Sequence, residues 1–178
     1  MEVQGAGLLY TLATLAITFA GFAVILLALR QAAGAALSPL DRFLARTVVG
    51  HFFWIAAGAL FPPAFALYPL PAVLAWKISA LVFGLPMLLV LLTYHHRRMA
   101  LTSKRAPAVI LVLFLGVGCG SIAGMFAYVF AGFAHPEAAY AMAILANFLA
   151  HGYAVVVALE VILTQQTVPA QVTEPRVN

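Results

Sequence analysis

Few residues in this chain could do chemistry, and those few are polar side chains set inside long apolar runs. His51 and His151 are the principal pair. His151 follows Asn147 by four residues, so the two share a helical face, and that stripe continues through Tyr140, Ala143, Ala154 and Ala158. Polar and ionisable groups are costly in hydrocarbon and turn toward a bundle interior or toward water, so they mark functional positions. Three chemistries suit the pair. One is a buried interhelical hydrogen bond that fixes packing. The second is an ion or proton path through Asn147, His151 and Glu160, because an imidazole relays protons near neutral pH. The third is axial ligation of a b-type haem by His51 and His151, as neutral imidazoles from facing helices in a slot of small residues. Read along their helices, the two histidines differ in depth by about 6 Å at a rise of 1.5 Å per residue.

Glu160 is the one acid well inside an apolar run. It lies almost opposite His151 around the helix axis, so the two do not form a dyad on one face. A base such as Arg46, or the head-group layer, is its expected partner; an ion-selectivity ring in an oligomer is the sharper alternative. His95-His96-Arg97-Arg98 invites a metal reading. Adjacent histidines point about 100° apart on a helix, however, and no Cys, Asp or Glu nearby completes a ligand set, so no metal site is expected. With Lys104 and Arg105, the residues Arg97 and Arg98 read as a topology determinant that touches anionic lipid head groups. Enzyme signatures are missing: there is no serine-nucleophile elbow, paired aspartates, HExxH or phosphate-binding glycine loop.

The elements that must position these residues follow from composition. With 65% hydrophobic and 8% charged residues and a mean hydropathy of +1.08, the chain lies far outside the range of soluble domains. Apolar stretches run approximately over 8–29, 43–67, 72–93, 108–134 and 138–163. Each meets the roughly 20 residues a helix needs to cross about 30 Å of hydrocarbon. No alternation of polarity suggests a barrel. The expected fold is therefore all-α, an integral membrane bundle of five transmembrane helices over 1–164, with a polar tail, 165–178, read as disordered in the cytoplasm.

Charge sets the direction. Arg30, Arg42 and Arg46 surround the first connector and Arg97, Arg98, Lys104 and Arg105 the third, whereas the second has only Lys77 nearby and the fourth none. The positive-inside rule puts the first and third connectors in the cytoplasm, the amino terminus outside and the carboxyl tail inside. The first stretch follows Glu2 rather than a basic segment and is expected to stay as an anchor. Cys119 is the single cysteine, so no intrachain disulfide forms. Nucleic acid is an unsuitable partner, because no basic soluble surface exists to carry it.

Local signals mark the boundaries. Ser38 suits an N-cap, Pro39 the first helical position and Asp41 the third. Phe61-Pro62-Pro63 should break or kink the second helix, Tyr68-Pro69-Leu70-Pro71 make a tight turn, and Pro86 bend the third helix. Tyr68 and Trp76 fall at interfacial depth. His135-Pro136-Glu137 reads as a turn into a fifth helix. Gly116, Gly120 and Gly124 at spacings of four make a small-residue face on the fourth helix, while Thr11, Thr14, Thr18 and Gly21 make a narrow stripe on the first. These two faces are expected to pack against each other, with an oligomer interface as the other reading.

Two resemblances bear on function. Histidines on the second and fifth of five helices look like the five-helix membrane subunit of respiratory nitrate reductase, which implies haem b; that family carries two ligands on each helix and this chain one. The stretch Thr18-Phe19-Ala20-Gly21-Phe22 through Arg30, followed by Leu40-Asp41-Arg42, resembles a widespread group of short, uncharacterised, multi-pass bacterial inner-membrane proteins over about the first 65 residues. That resemblance implies a bacterial inner-membrane location and no activity. The leading reading is a non-enzymatic multi-pass protein without a cofactor, an oligomer or small subunit of a membrane complex, that lets ions or protons move through polar residues of the bundle. A b-type cytochrome is the alternative. A lipid-modifying enzyme using His51, His151 or Glu160 is a third class.

Overall fold

The computed structural model describes residues 5–32, 34, 38–102 and 107–164, excepting the side chains of 102 and 158–164. Among the described residues the regular structure is all helical. The helices are α1 (Ala6–Ala32), α2 (Pro39–Phe65), α3 (Ala72–Thr102), α4 (Ala108–Ala131) and α5 (Pro136–Thr164), five that are long and apolar enough to cross a membrane. Lys104, Arg105 and the tail 165–178 lie outside the described residues.

Short-range chemistry sets several boundaries. Ser38 caps α2: its Oγ accepts from the Asp41 amide at 3.1 Å, and the Asp41 carboxylate accepts from the Ser38 amide at 3.0 Å. The same carboxylate lies 3.2 Å from the Arg30 guanidinium, so one acid ties the end of α1 to the start of α2. Arg97 lies over the Phe43 ring at 5.5 Å, which brings the end of α3 to that same, basic end of the bundle. At the opposite end Lys77 sits over Phe130, Gly132 closes α4 at φ +77°, and Glu137 pairs with His135 in the turn into α5.

Sequence and structure differ in four places. α2 continues through Pro62 and Pro63 to Phe65, with Pro62 buried in the bundle. α3 runs past its apolar segment to Thr102, so the helix continues beyond His95 to Arg98 rather than ending with them. Trp76, near the start of α3, is 7% exposed and packs inward 5.6 Å from the Tyr140 ring, a contact the sequence did not indicate. The small-residue faces of the first and fourth helices do not meet. α1 packs chiefly on α2, and next on α5. Thr11, Thr14 and Thr18 return their hydroxyls to the carbonyls of Gly7, Tyr10 and Thr14 on their own helix. A methyl group added at Gly21, Gly120 or Gly124 would meet no other helix, and one at Gly116 only Val112 of its own. Both faces point outward.

α5 is the central helix, in contact with all four others. Its inward stripe of Tyr140, Ala143, Asn147, His151 and Ala154 is buried, as the four-residue spacing requires. Close approach to α2 is decided at Gly58, whose carbonyl accepts from Tyr140 Oη at 2.7 Å. An added Cβ there would lie 2.3 Å from the Phe83 ring, itself fully buried. Gly58→Ala should therefore force α2, α3 and α5 apart and destabilise the bundle by about 1–3 kcal/mol, as overpacking does. Gly120→Ala, in open space, should leave the melting temperature in detergent unchanged. Equal melting of the two variants would contradict this packing.

Candidate functional site

The interior of the bundle is largely apolar, and its buried histidine side chains lie at one level. There His51 of α2 and His151 of α5 meet with ring centroids 4.2 Å apart, exposed by 4% and 1%. Helix packing thus removes the difference in depth read along the sequence. Phe114 of α4 stacks on His151 at 4.8 Å and stands edge-on to His51 at 5.8 Å, with Tyr94 of α3 behind it. Phe114 belongs to a π-helical segment, Val112–Cys119, inside α4. Such widened turns recur at functional sites because they re-aim side chains within a continuous helix.

Hydrogen bonding at this level is uneven. His151 Nδ1 donates to the Asn147 carbonyl at 2.7 Å. That bond puts the proton of the neutral ring on Nδ1 and leaves Nε2 as a bare acceptor. Asn147 Nδ2 donates to Ser121 Oγ at 3.0 Å and to the Ala143 carbonyl at 2.8 Å, and Ser121 Oγ donates to the Gly118 carbonyl at 2.9 Å. This chain spends both Asn147 donors, and Asn147 Oδ1 accepts nothing. Gly118 makes room for it: a Cβ there would lie 3.4 Å from Oδ1 and 2.9 Å from Leu91. Both ring nitrogens of His51 are buried without a well-formed hydrogen bond, and the Thr47 carbonyl one turn back is the backbone acceptor beside the ring. A neutral His51 has one donor and one acceptor. Unsatisfied acceptors therefore outnumber donors among these three residues: His151 Nε2, Asn147 Oδ1 and one nitrogen of His51, against a single N–H on His51.

His51 also reaches the outside of the bundle. A groove of about 260 Å³ runs between α2 and α3, lined by Arg46, Thr47, Gly50, His51 and Trp54 on one side and Pro86, Met87, Val90 and Arg97 on the other. Arg46 and Arg97 stand at its basic end. Trp54 Nε1 donates to the Phe83 carbonyl at 3.0 Å, in the turn that Pro86 opens by lacking an amide. Toward the opposite end of the bundle the layer above the histidines is closed by Ile55, Phe83, Ile122, Tyr140 and Ile144, all fully buried. The polar groups there are satisfied: Tyr140 bonds Gly58, and Ser79 bonds the Ala75 carbonyl.

The structure brings together His51, His151 and Asn147. Glu160 lies on α5, but its side chain falls outside the described residues. Asp41 and Glu137 pair with Arg30 and His135 at the two ends, so no described carboxylate reaches the histidines. Among the described residues no group of three or more His, Cys, Asp or Glu could hold a metal ion. Arg97 faces the groove, whereas Arg98 donates to Tyr94 Oη at 3.3 Å. Ser121, Phe114 and Trp54 were missed as site residues; a hydroxyl within the glycine run of α4 was the only signal for any of them.

A haem between the two rings is a separate matter of fit. An iron bound to both imidazoles at about 2 Å each would hold the ring centres roughly 6 Å apart. The observed 4.2 Å, with Phe114 against both rings, does not accommodate it. No protein-family model matches the chain, and neither a curated protein nor a solved structure matches it. Protein purified from haem-supplied cells should show only its aromatic ultraviolet band, unchanged by dithionite. A Soret band that shifts on reduction would require the histidine pair to open.

Proposed function

We propose that this chain is a non-enzymatic, multi-pass bacterial inner-membrane protein that takes up a proton at the His51–His151 pair, from the end of the bundle that carries the arginines. The observation that carries the reading is the excess of unsatisfied acceptors where the two rings meet. A buried acceptor without a donor costs about 1–3 kcal/mol, and one proton held by the pair removes part of that cost while adding a single charge. Asn147 and Ser121 hold the His151 side of the pair in place through their bonds to Ala143 and Gly118. Arg46 and Arg97 at the groove repel free metal cations, which favours a proton passed along hydrogen bonds over a hydrated ion.

The charge pattern of the connectors supports a cytoplasmic position for the basic end. The apolar layer above the histidines means that passage across the bundle needs a second state in which Phe83, Tyr140 and Ile144 part. A carrier that exposes the pair to one side at a time fits this better than an open pore. The outward-facing stripes on α1 and α4 are free to meet a second copy or a partner subunit in such a role.

In proteoliposomes with a trapped pH-sensitive dye, an imposed proton gradient should decay faster than in protein-free vesicles. His151→Ala and Asn147→Leu should return the rate to the protein-free level, while His96→Ala on the exposed end of α3 should not. A gradient that decays at the protein-free rate, or equally in all variants, would make the pair a packing contact.

A further inference from the structure

The groove between α2 and α3, at the basic end, has an apolar half and a sideways opening that the proton reading does not use. Its mouth carries two guanidinium groups, Arg46 and Arg97, and no described carboxylate pairs with either. Its floor holds His51, buried and without a hydrogen bond on either ring nitrogen. Below the charges the lining turns apolar, through Trp54, Pro86, Met87 and Val90. Gly50 and Pro86 are exposed, so the groove opens sideways, toward the surface that hydrocarbon would cover, as well as toward the basic end. A methyl group added at Gly50 would meet nothing within 4 Å, which leaves the α2 wall low.

Positive charge at the head-group level, a hydrogen-bonding floor and an apolar run opening sideways together describe the shape of an amphiphile. We propose that this groove binds one anionic phospholipid of the leaflet at the basic end, its phosphate between Arg46 and Arg97 and the start of one acyl chain along Trp54, Met87 and Val90. Arg97 is well suited to the task, because its guanidinium already rests over Phe43 and keeps its donors for a phosphate. At about 260 Å³ the groove is smaller than the roughly 300–1,000 Å³ of sites that enclose whole drug-sized ligands, which suits a head group and the first methylenes with the remaining chain outside. A free phosphate would gain nothing from the apolar half, and a zwitterionic head group brings an ammonium that the two arginines repel, offsetting what its phosphate gains. The site shares His51, Arg46 and Arg97 with the proton reading, but it does not rest on proton uptake by the histidine pair.

Native mass spectrometry of the full chain in detergent, titrated with phosphatidylglycerol or phosphatidylcholine, tests the assignment. Wild type should retain one phosphatidylglycerol in preference to phosphatidylcholine. The double variant Arg46→Ala/Arg97→Ala should weaken that binding about tenfold or more, given the head-group attraction each arginine contributes. Gly50→Leu, which fills the groove without changing charge, should weaken it too, and Arg42→Ala, an exposed arginine outside the groove, should not. Equal retention of both lipids, or binding indifferent to Gly50→Leu, would overturn the proposal as simple surface attraction. Displacement of the lipid by inorganic phosphate alone would overturn it in favour of a free anion. His151→Ala should leave lipid retention unchanged, so failure of the proton reading and failure of this one are told apart.

Discussion

Hydrocarbon supplies no hydrogen bonds, so each polar group that a bundle of this composition turns inward must find its partner on a neighbouring helix or remain unsatisfied. α5 meets this constraint most directly, because it touches the other four helices and has the largest buried share of any span. Its polar stripe is resolved stepwise. Tyr140 reaches the Gly58 carbonyl of α2, Asn147 reaches Ser121 of α4, and His151 turns one nitrogen back to its own helix. Around His51 and His151 the supply of partners runs out, for Asn147 Oδ1 as well as for the rings. In the middle of the bundle that shortfall is confined to one level, and the layer above it is closed by fully buried side chains.

The confinement has a structural cause on each side. Gly58 and Gly118 let helices approach where any side chain would collide with Phe83 or Leu91, and those approaches bring the histidine rings into contact. The π-helical turn of α4 presents Phe114 to both rings, so an aromatic wall stands where a third polar group would otherwise be needed. On the remaining side, α2 and α3 part enough to leave the groove, with Pro86 and Trp54 where they diverge. The buried polar cluster and a basic, partly apolar groove thus share one residue, His51. Proton uptake and lipid occupancy are proposals about the two ends of that residue's surroundings, and neither needs the other.

The helical architecture and much of the stripe on α5 were legible in the sequence. Apolar length announces a spanning helix, Ser38-Pro39-Asp41 forms its cap within four residues, and the spacing of Tyr140, Asn147 and His151 puts them on one face whatever packs against it. These are properties of a single helix, governed by rise, periodicity and local hydrogen bonds. The stripes on α1 and α4 show where such reasoning stops. Small residues allow close packing without saying which helix comes close, and here neither stripe meets the other.

What only the tertiary structure decided depends on the rotation and register of one helix against another. Two histidines a hundred residues apart touch at 4.2 Å, closer than two ligands of one iron would stand, with more unsatisfied acceptors than donors around them. Arg46 and Arg97 flank one groove although they lie on helices of opposite direction with a proline-rich turn between them. Sequence by itself determined the solvent these helices suit and the face each polar residue occupies, because burial and periodicity act along one chain segment. Which faces meet is a property of pairs of helices, set by the few glycines and rings that permit or forbid contact, and it exists only once the bundle has closed.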